Sequence, residues 1–174
     1  SPVDKVARDR LSTVYMPGYK LTMLPDEVVQ AYTLIEGRDC PAVSLYVRFD
    51  EATLEVRGAE TRLERVPIAA NLRHDRLDDV VTEASLSGAA PADYAFAPEL
   101  AFTFRLAQHL KAAREVVRGK PENFNRPDYN FKLDGSGMDS KREPDGSETV
   151  LISVRKRGAP LDLIVSEAMI LANS

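Results

Sequence analysis

The chain is poor in the residues that build most metal and redox sites. Its 174 residues include one cysteine, two histidines and no tryptophan. The single cysteine, Cys40, has no partner for an internal disulfide and lacks the clustered ligands of a structural zinc site. We therefore expect a reducing compartment, the cytoplasm. We do not expect Cys40 to act as a catalytic thiol, because no base lies near it in the sequence.

Strong charge of one sign and long apolar runs are also missing. Lys and Arg number 23 against 27 for Asp and Glu, which leaves a net charge of −4. Any site for a nucleic acid must therefore be a local one. No apolar run reaches the roughly 18 residues that a membrane span needs, and the amino terminus lacks a signal-peptide pattern. The sequence predicts one domain over residues 1–174 and no membrane partner.

Helix and strand patterns alternate irregularly along the chain. The predicted elements are, in order, a short helix from Ser1, a hairpin around Pro17-Gly18, a helix from Pro25, a hairpin around Asp50-Glu51, one helix starting after Asn71 or Asp75, a long helix from about Pro98 to Arg118, a strand from about Tyr129 that pairs with residues 147–158, and a terminal helix after Gly158. A polar, mobile loop is expected over residues 135–147. This order predicts an α+β fold, a largely antiparallel sheet with hairpins packed by several helices, rather than a doubly wound parallel sheet.

Neither end of the sequence carries the signals of a natural terminus. It starts with Ser1 instead of Met, and the apolar terminal helix reaches Ser174 without a capping residue. We expect these residues to be part of a longer polypeptide. The same helix contains one polar pair, Ser166 and Glu167, within an otherwise apolar stretch.

The densest group of possible metal ligands is formed by His74, Asp75, Asp78 and Asp79. His74 and Asp78 would share a helical face at positions i and i+4. A first helical turn whose acidic residues oppose the helix dipole explains the same pattern without a metal. A small metallohydrolase built on these residues is therefore kept only as a weaker alternative.

Three cations, Arg155, Lys156 and Arg157, end a predicted strand just before the terminal helix. Cations beside free helix N–H groups can bind phosphate, although a solvated run of charge explains the same pattern. His109 lies in the long predicted helix, where we expect a half-buried structural histidine. Aromatic residues such as Tyr15 could stack on bases, but aromatics in or beside strands more often pack in a core.

Six short segments, taken in order, carry a family pattern: SPVDKVARDRLSTVYMP, LTMLP, LIEGRDCPAVSLYVRFD, LRHD, RPDYNF and IVSEAMILAN. Together they resemble the RNB catalytic domain of the ribonuclease II and ribonuclease R family of exoribonucleases. The resemblance implies a 3′ to 5′ exoribonuclease that hydrolyses single-stranded RNA to nucleoside monophosphates with Mg²⁺. It makes this chain the central part of such a catalytic domain.

The resemblance also implies which parts of that enzyme lie outside the chain. The family's aspartate cluster falls upstream of Ser1, its arginine motif falls downstream of Ser174, and OB-type domains flank both. Metal-assisted phosphoryl chemistry needs clustered carboxylates and a cation. We therefore expect the chain alone to bind no catalytic Mg²⁺ and to be inactive. A non-catalytic RNA- or partner-binding relative is the alternative.

The resemblance assigns RNA contacts residue by residue. Tyr15 matches a tyrosine that stacks on the terminal bases, and Phe124 lies near the aromatic on the other side of the stack. His74 stands where the family usually has tyrosine, and Ser166 replaces the first glutamate of a pair that contacts the last ribose, whose 2′-hydroxyl distinguishes RNA from DNA. We expect relaxed or reorganised ribose selectivity. The predicted RNA-binding residues are Tyr15, His74, Phe124, Arg155, Arg157, Ser166 and Glu167.

Overall fold

The computed structural model describes residues 1–122, 128–134, 146–155 and 158–174, with the backbone alone described at Asp75, Asp128 and Arg155. The helices and strands follow one another as α1 (Pro2–Arg10), β1 (Val14–Met16), β2 (Tyr19–Leu21), α2 (Asp26–Tyr32), β3 (Asp39–Phe49), β4 (Val56–Pro67), α3 (His74–Leu77), α4 (Glu83–Leu86), α5 (Ala97–Arg118), β5 (Asp128–Asp134), β6 (Thr149–Arg155) and α6 (Pro160–Asn173). Within the described residues the strands pair in sequence order as three two-stranded sheets. The predicted α+β class is confirmed.

The chain divides into two compact units. The first unit comprises residues 1–42, 65–70 and 127–155, and the second comprises residues 43–64, 71–126 and 156–174. Residues of the long β3–β4 hairpin are divided between the two.

Local signals explain the elements of the first unit. The Ser1 hydroxyl caps α1 by accepting a hydrogen bond from the Asp4 amide at 3.2 Å. The turn between β1 and β2 contains Gly18 at φ 71°, a left-handed conformation that favours glycine. The Arg38 guanidinium donates to the carbonyls of Gln30 and Thr33, which satisfies carbonyl groups at the end of α2.

The core of the second unit lies between α4, α5 and the start of α6. Its buried side chains are apolar, and further apolar side chains pack against them when only partly buried. The buried members are Val81, Leu86, Leu100, Phe104 and Leu161. This core fixes α5 against α6, and these two helices carry most of the charged residues described below.

Two sequence expectations for the second unit are wrong. The single helix expected after Asn71 or Asp75 is two short helices, α3 and α4. The Thr82 hydroxyl accepts from the Ser85 amide at 3.2 Å while the Ser85 hydroxyl accepts from the Thr82 amide at 3.0 Å, and this reciprocal cap starts a new helix. His109 is exposed on α5 and not half-buried, because the apolar face of that helix is formed by residues such as Phe104.

The described residues include no helix that combines the length and the apolar character needed to cross a membrane.

Candidate functional site

Tyr15 is the exposed aromatic residue of the first hairpin. It lies in the middle of β1, and the residue is 79% exposed, so it does not pack in the core of the described chain. Lys20 is its direct partner across the hairpin, which puts the two side chains on the same face. An exposed ring beside a cation suits stacking on a base with a phosphate close by.

His74 lies against α6 in the second unit. Its Nδ1 atom is 3.0 Å from the Asp78 carboxylate, as the i, i+4 spacing predicts, and 3.9 Å from Oδ1 of Asp162. Asp162 precedes Ser166 by four residues, so the two share one face of α6. The structure therefore brings His74 to the helix face that carries Ser166; that both contact one ribose stays a prediction.

Glu167 is buried and ion-paired. Its side chain is 3% exposed, and its Oε1 atom accepts a hydrogen bond from Nη2 of Arg114 at 2.5 Å. The same Nη2 atom donates to Glu122 at 2.6 Å. A buried carboxylate requires such a partner, so this charged cluster of Arg114, Glu122 and Glu167 joins the end of α5 to the middle of α6.

The hydrogen bonds in this cluster stabilise the charged forms of Arg114 and Glu122. Hydrogen bonds to Glu167 and Glu122 raise the pKa of Arg114 above its already high ordinary value. The hydrogen bond from Arg114 holds the pKa of Glu122 below the usual range of a glutamate, and Arg118 and Lys111 act in the same direction. Glu122 is therefore a carboxylate at neutral pH, able to accept hydrogen bonds and unable to donate them.

An open cavity of about 590 Å³ lies beside this cluster. It is lined by Glu122, Ser166, Met169, Ile170, Asn173 and Ser174. Ser166, the residue that replaces an acid in the resemblance, therefore faces the same space as a carboxylate from elsewhere in the chain. Polar acceptors beside the apolar Met169 and Ile170 suit a ligand that has both hydroxyl groups and an apolar face.

Several predicted site residues lie outside what the structure describes. Phe124 and Arg157 fall in segments that are not described, and at Arg155 only the backbone is described, as the last residue of β6. The polar loop expected over residues 135–147 also falls mostly outside. Tyr15 belongs to the first unit, whereas His74, Ser166 and Glu167 belong to the second.

The metallohydrolase alternative, with a metal site around His74, gains no support from the geometry. Over residues 1–122, 128–134, 146–155 and 158–174, no group of three or more His, Cys, Asp or Glu side chains is arranged to hold a metal ion. Asp78 instead pairs with His74, and the side chain of Asp75 is not described. Cys40 is fully buried in the first unit.

Comparison with known protein families shows which family the chain belongs to. The model of the RNB domain matches residues 1–174, the whole sequence. This chain belongs to the RNB domain family. The RNB resemblance read from six short segments is thus confirmed over its full extent.

Individual relatives of this RNB chain carry the name Exoribonuclease 2. The proteins from Vibrio vulnificus strain YJ016 and Edwardsiella piscicida are 28% and 30% identical to it, over 98% and 99% of the chain. The protein from Haemophilus ducreyi is 26% identical over 99% of the chain. The chain spans about a quarter of the length of these curated relatives, 24–25%.

Three residues of the site were not found by sequence reasoning. Arg114 and Glu122 lie in or just after α5, and Lys20 lies in β2. The isolated acid Glu167 in an apolar helix was a usable signal, since a buried carboxylate needs a cation. Nothing in the sequence selects Arg114 as that cation, because it lies 53 residues earlier.

Proposed function

We propose that this chain is the part of a 3′ to 5′ exoribonuclease that binds the 3′ end of single-stranded RNA, in an enzyme that releases nucleoside monophosphates in the cytoplasm. The observation that carries the proposal is the RNB domain match over residues 1–174. Membership in this family supports a ribonuclease. The direction of degradation, the form of the products and the location are the proposed part.

The exposed chemistry of the chain supports single-stranded RNA as the ligand. Tyr15 offers an open ring beside Lys20, and stacking of this kind accepts any base. His74 of α3 lies 3.9 Å from Asp162, on the face of α6 that carries Ser166, and Ser166 lines a cavity with polar and apolar walls. Each of these two features suits an enzyme that must accept every sequence.

The residues that the structure describes do not fit a catalytic magnesium site. Mg²⁺ prefers several oxygen ligands, and the described residues offer no cluster of three such side chains. Glu122, which lines the cavity, and Glu167 both pair with Arg114 instead. We propose that the magnesium ligands belong to other segments of the complete enzyme and that the 174-residue chain alone hydrolyses nothing.

Replacement of Tyr15 tests the RNA-binding role. Loss of one stacking ring should cost about 1–3 kcal/mol, so Tyr15→Ala should weaken binding of a fluorescent single-stranded oligouridylate roughly 5- to 150-fold in an anisotropy titration. Tyr32→Ala is the matched control, because Tyr32 belongs to the same unit and is 61% exposed. Equal affinities for the wild-type protein and Tyr15→Ala would contradict the assignment.

The second candidate function is a non-catalytic RNA-binding relative of the RNB fold. It is favoured by His74 and Ser166, which stand where the family has a tyrosine and a glutamate, and by the engagement of Glu167 with Arg114. Such a protein would also lose RNA affinity on Tyr15→Ala, but it would not degrade the RNA. A degradation assay on the complete gene product separates the two functions.

A further inference from the structure

The cavity beside α6 has a carboxylate in its wall although position 166 of α6 is a serine. Of the residues that line it, Glu122 contributes the carboxylate and Ser166 contributes a hydroxyl. That carboxylate already pairs with Arg114 and Arg118, and as a hydrogen-bond acceptor it suits a neutral donor such as a sugar hydroxyl. Met169 and Ile170 supply apolar surface for the C–H face of the same sugar.

Glu122 is held in place by three side chains of α5. Its Oε2 atom accepts from Arg114 at 2.6 Å, and its backbone N–H donates to Oε1 of Glu115 at 2.8 Å. Arg118 lies 3.7 Å from its other oxygen, Oε1. A carboxylate has about four lone-pair positions, so these contacts orient the group and leave it the capacity to accept a ligand hydroxyl.

Asn173 adds a second acceptor to the wall. Its Nδ2 atom donates to the Met169 carbonyl at 2.7 Å, which fixes the amide and leaves its side-chain oxygen as the acceptor. Two fixed acceptors and a serine hydroxyl around one apolar surface match a vicinal diol, and the 3′-terminal ribose of RNA carries one.

We propose that Glu122 is a specificity-determining residue that accepts a hydrogen bond from a hydroxyl of the 3′-terminal ribose, in the role that an acid at position 166 would otherwise have. Arg114 is the positioning residue that aims it. The proposal rests on the proposed RNA-binding function. Ribose selectivity is then reorganised in this protein through a carboxylate that comes from the end of α5 instead of α6.

The test compares two oligouridylates that differ only in their last residue, one ending in a ribose and the other in a 2′-deoxyribose. Their dissociation constants are measured with the protein as its gene encodes it, without Mg²⁺ so that neither RNA is cut. Glu122→Gln replaces a charge-assisted hydrogen bond with a neutral one and should reduce the preference for the ribose end about fivefold to tenfold. Glu51→Gln, a change at an exposed glutamate in the β3–β4 loop, should leave the preference unchanged.

A restored acid distinguishes recognition from structural support. Glu122→Ala should abolish the preference, and addition of Ser166→Glu to that variant should restore it, which a merely structural role of Glu122 would not permit. If wild type prefers the ribose end and Glu122→Gln and Glu122→Ala keep the full preference, the proposal is overturned. A wild-type protein that binds RNA without any preference also overturns it, whereas one that binds no RNA overturns the proposed function itself.

Discussion

Replacement of Arg114 by methionine should destabilise the chain strongly, because it leaves Glu167 buried without its cation. Glu167 is 2% exposed and lies 2.5 Å from the guanidinium. Removal of one member of a buried ion pair costs about 3–5 kcal/mol, and removal of both in favour of apolar side chains is often close to neutral. Arg114→Met combined with Glu167→Leu should therefore be more stable than Arg114→Met alone, by about 3 kcal/mol.

Urea denaturation followed by circular dichroism measures both variants. With a slope of about 2 kcal/mol per molar urea, Arg114→Met should lower the midpoint by roughly 1.5–2.5 M. Lys120→Met, a change at an exposed cation just beyond α5, should alter the free energy of unfolding by no more than about 0.5 kcal/mol. A loss of less than about 1 kcal/mol for Arg114→Met, or a double variant as unstable as the single one, would contradict a buried ion pair that supports the fold.

Three further changes test other parts of the structure by the same measurement. Phe104→Ala should lower the free energy of unfolding by about 3–5 kcal/mol, because Phe104 is 6% exposed in the core. Val117→Ala, at a residue that is 90% exposed, should lower it by about 0.5 kcal/mol or less. Similar losses of stability in the two variants would contradict the assigned core. Gly37→Ala should cost about 1 kcal/mol because Gly37 has φ 76°, and a neutral result would argue against that turn. Arg114 lowers the pKa of Glu122, so wild type should be more stable than Glu122→Gln, with the full difference in free energy of unfolding above about pH 5. The difference should shrink as the pH falls below the unfolded pKa of about 4.3 and through the lower folded pKa. A difference that grows on acidification would contradict the ion pair.

Local signals in the sequence predicted most of the elements. The turn at Pro17-Gly18 and the cap at Ser1 are found where expected, and α5 begins at Ala97, one residue before the expected Pro98. These features depend on neighbours within a few residues. The break between α3 and α4 was missed because Thr82 is followed by Ser85 and not by the Glu or Gln of the usual capping box.

The candidate site was only partly predictable because its contacts join distant parts of the chain. Ser166 and Glu167 were selected by their polarity within an apolar helix and by the family resemblance. Their different surroundings, an open cavity for Ser166 and Arg114 for Glu167, depend on how α5 packs on α6. Periodicity gives the apolar face of each helix but not the pairing of charges at its edge, so Glu122 was not found in the sequence.

The most direct test of the account is a degradation assay with a 5′-labelled single-stranded RNA. The complete gene product should shorten the RNA progressively from its 3′ end when Mg²⁺ is present, and the isolated 174-residue chain should bind the same RNA and leave it intact. Magnesium-dependent degradation by the isolated chain would contradict the proposal that the magnesium ligands belong to other segments of the enzyme. A complete protein that binds the RNA but never shortens it would contradict the proposed exoribonuclease activity and favour the non-catalytic relative.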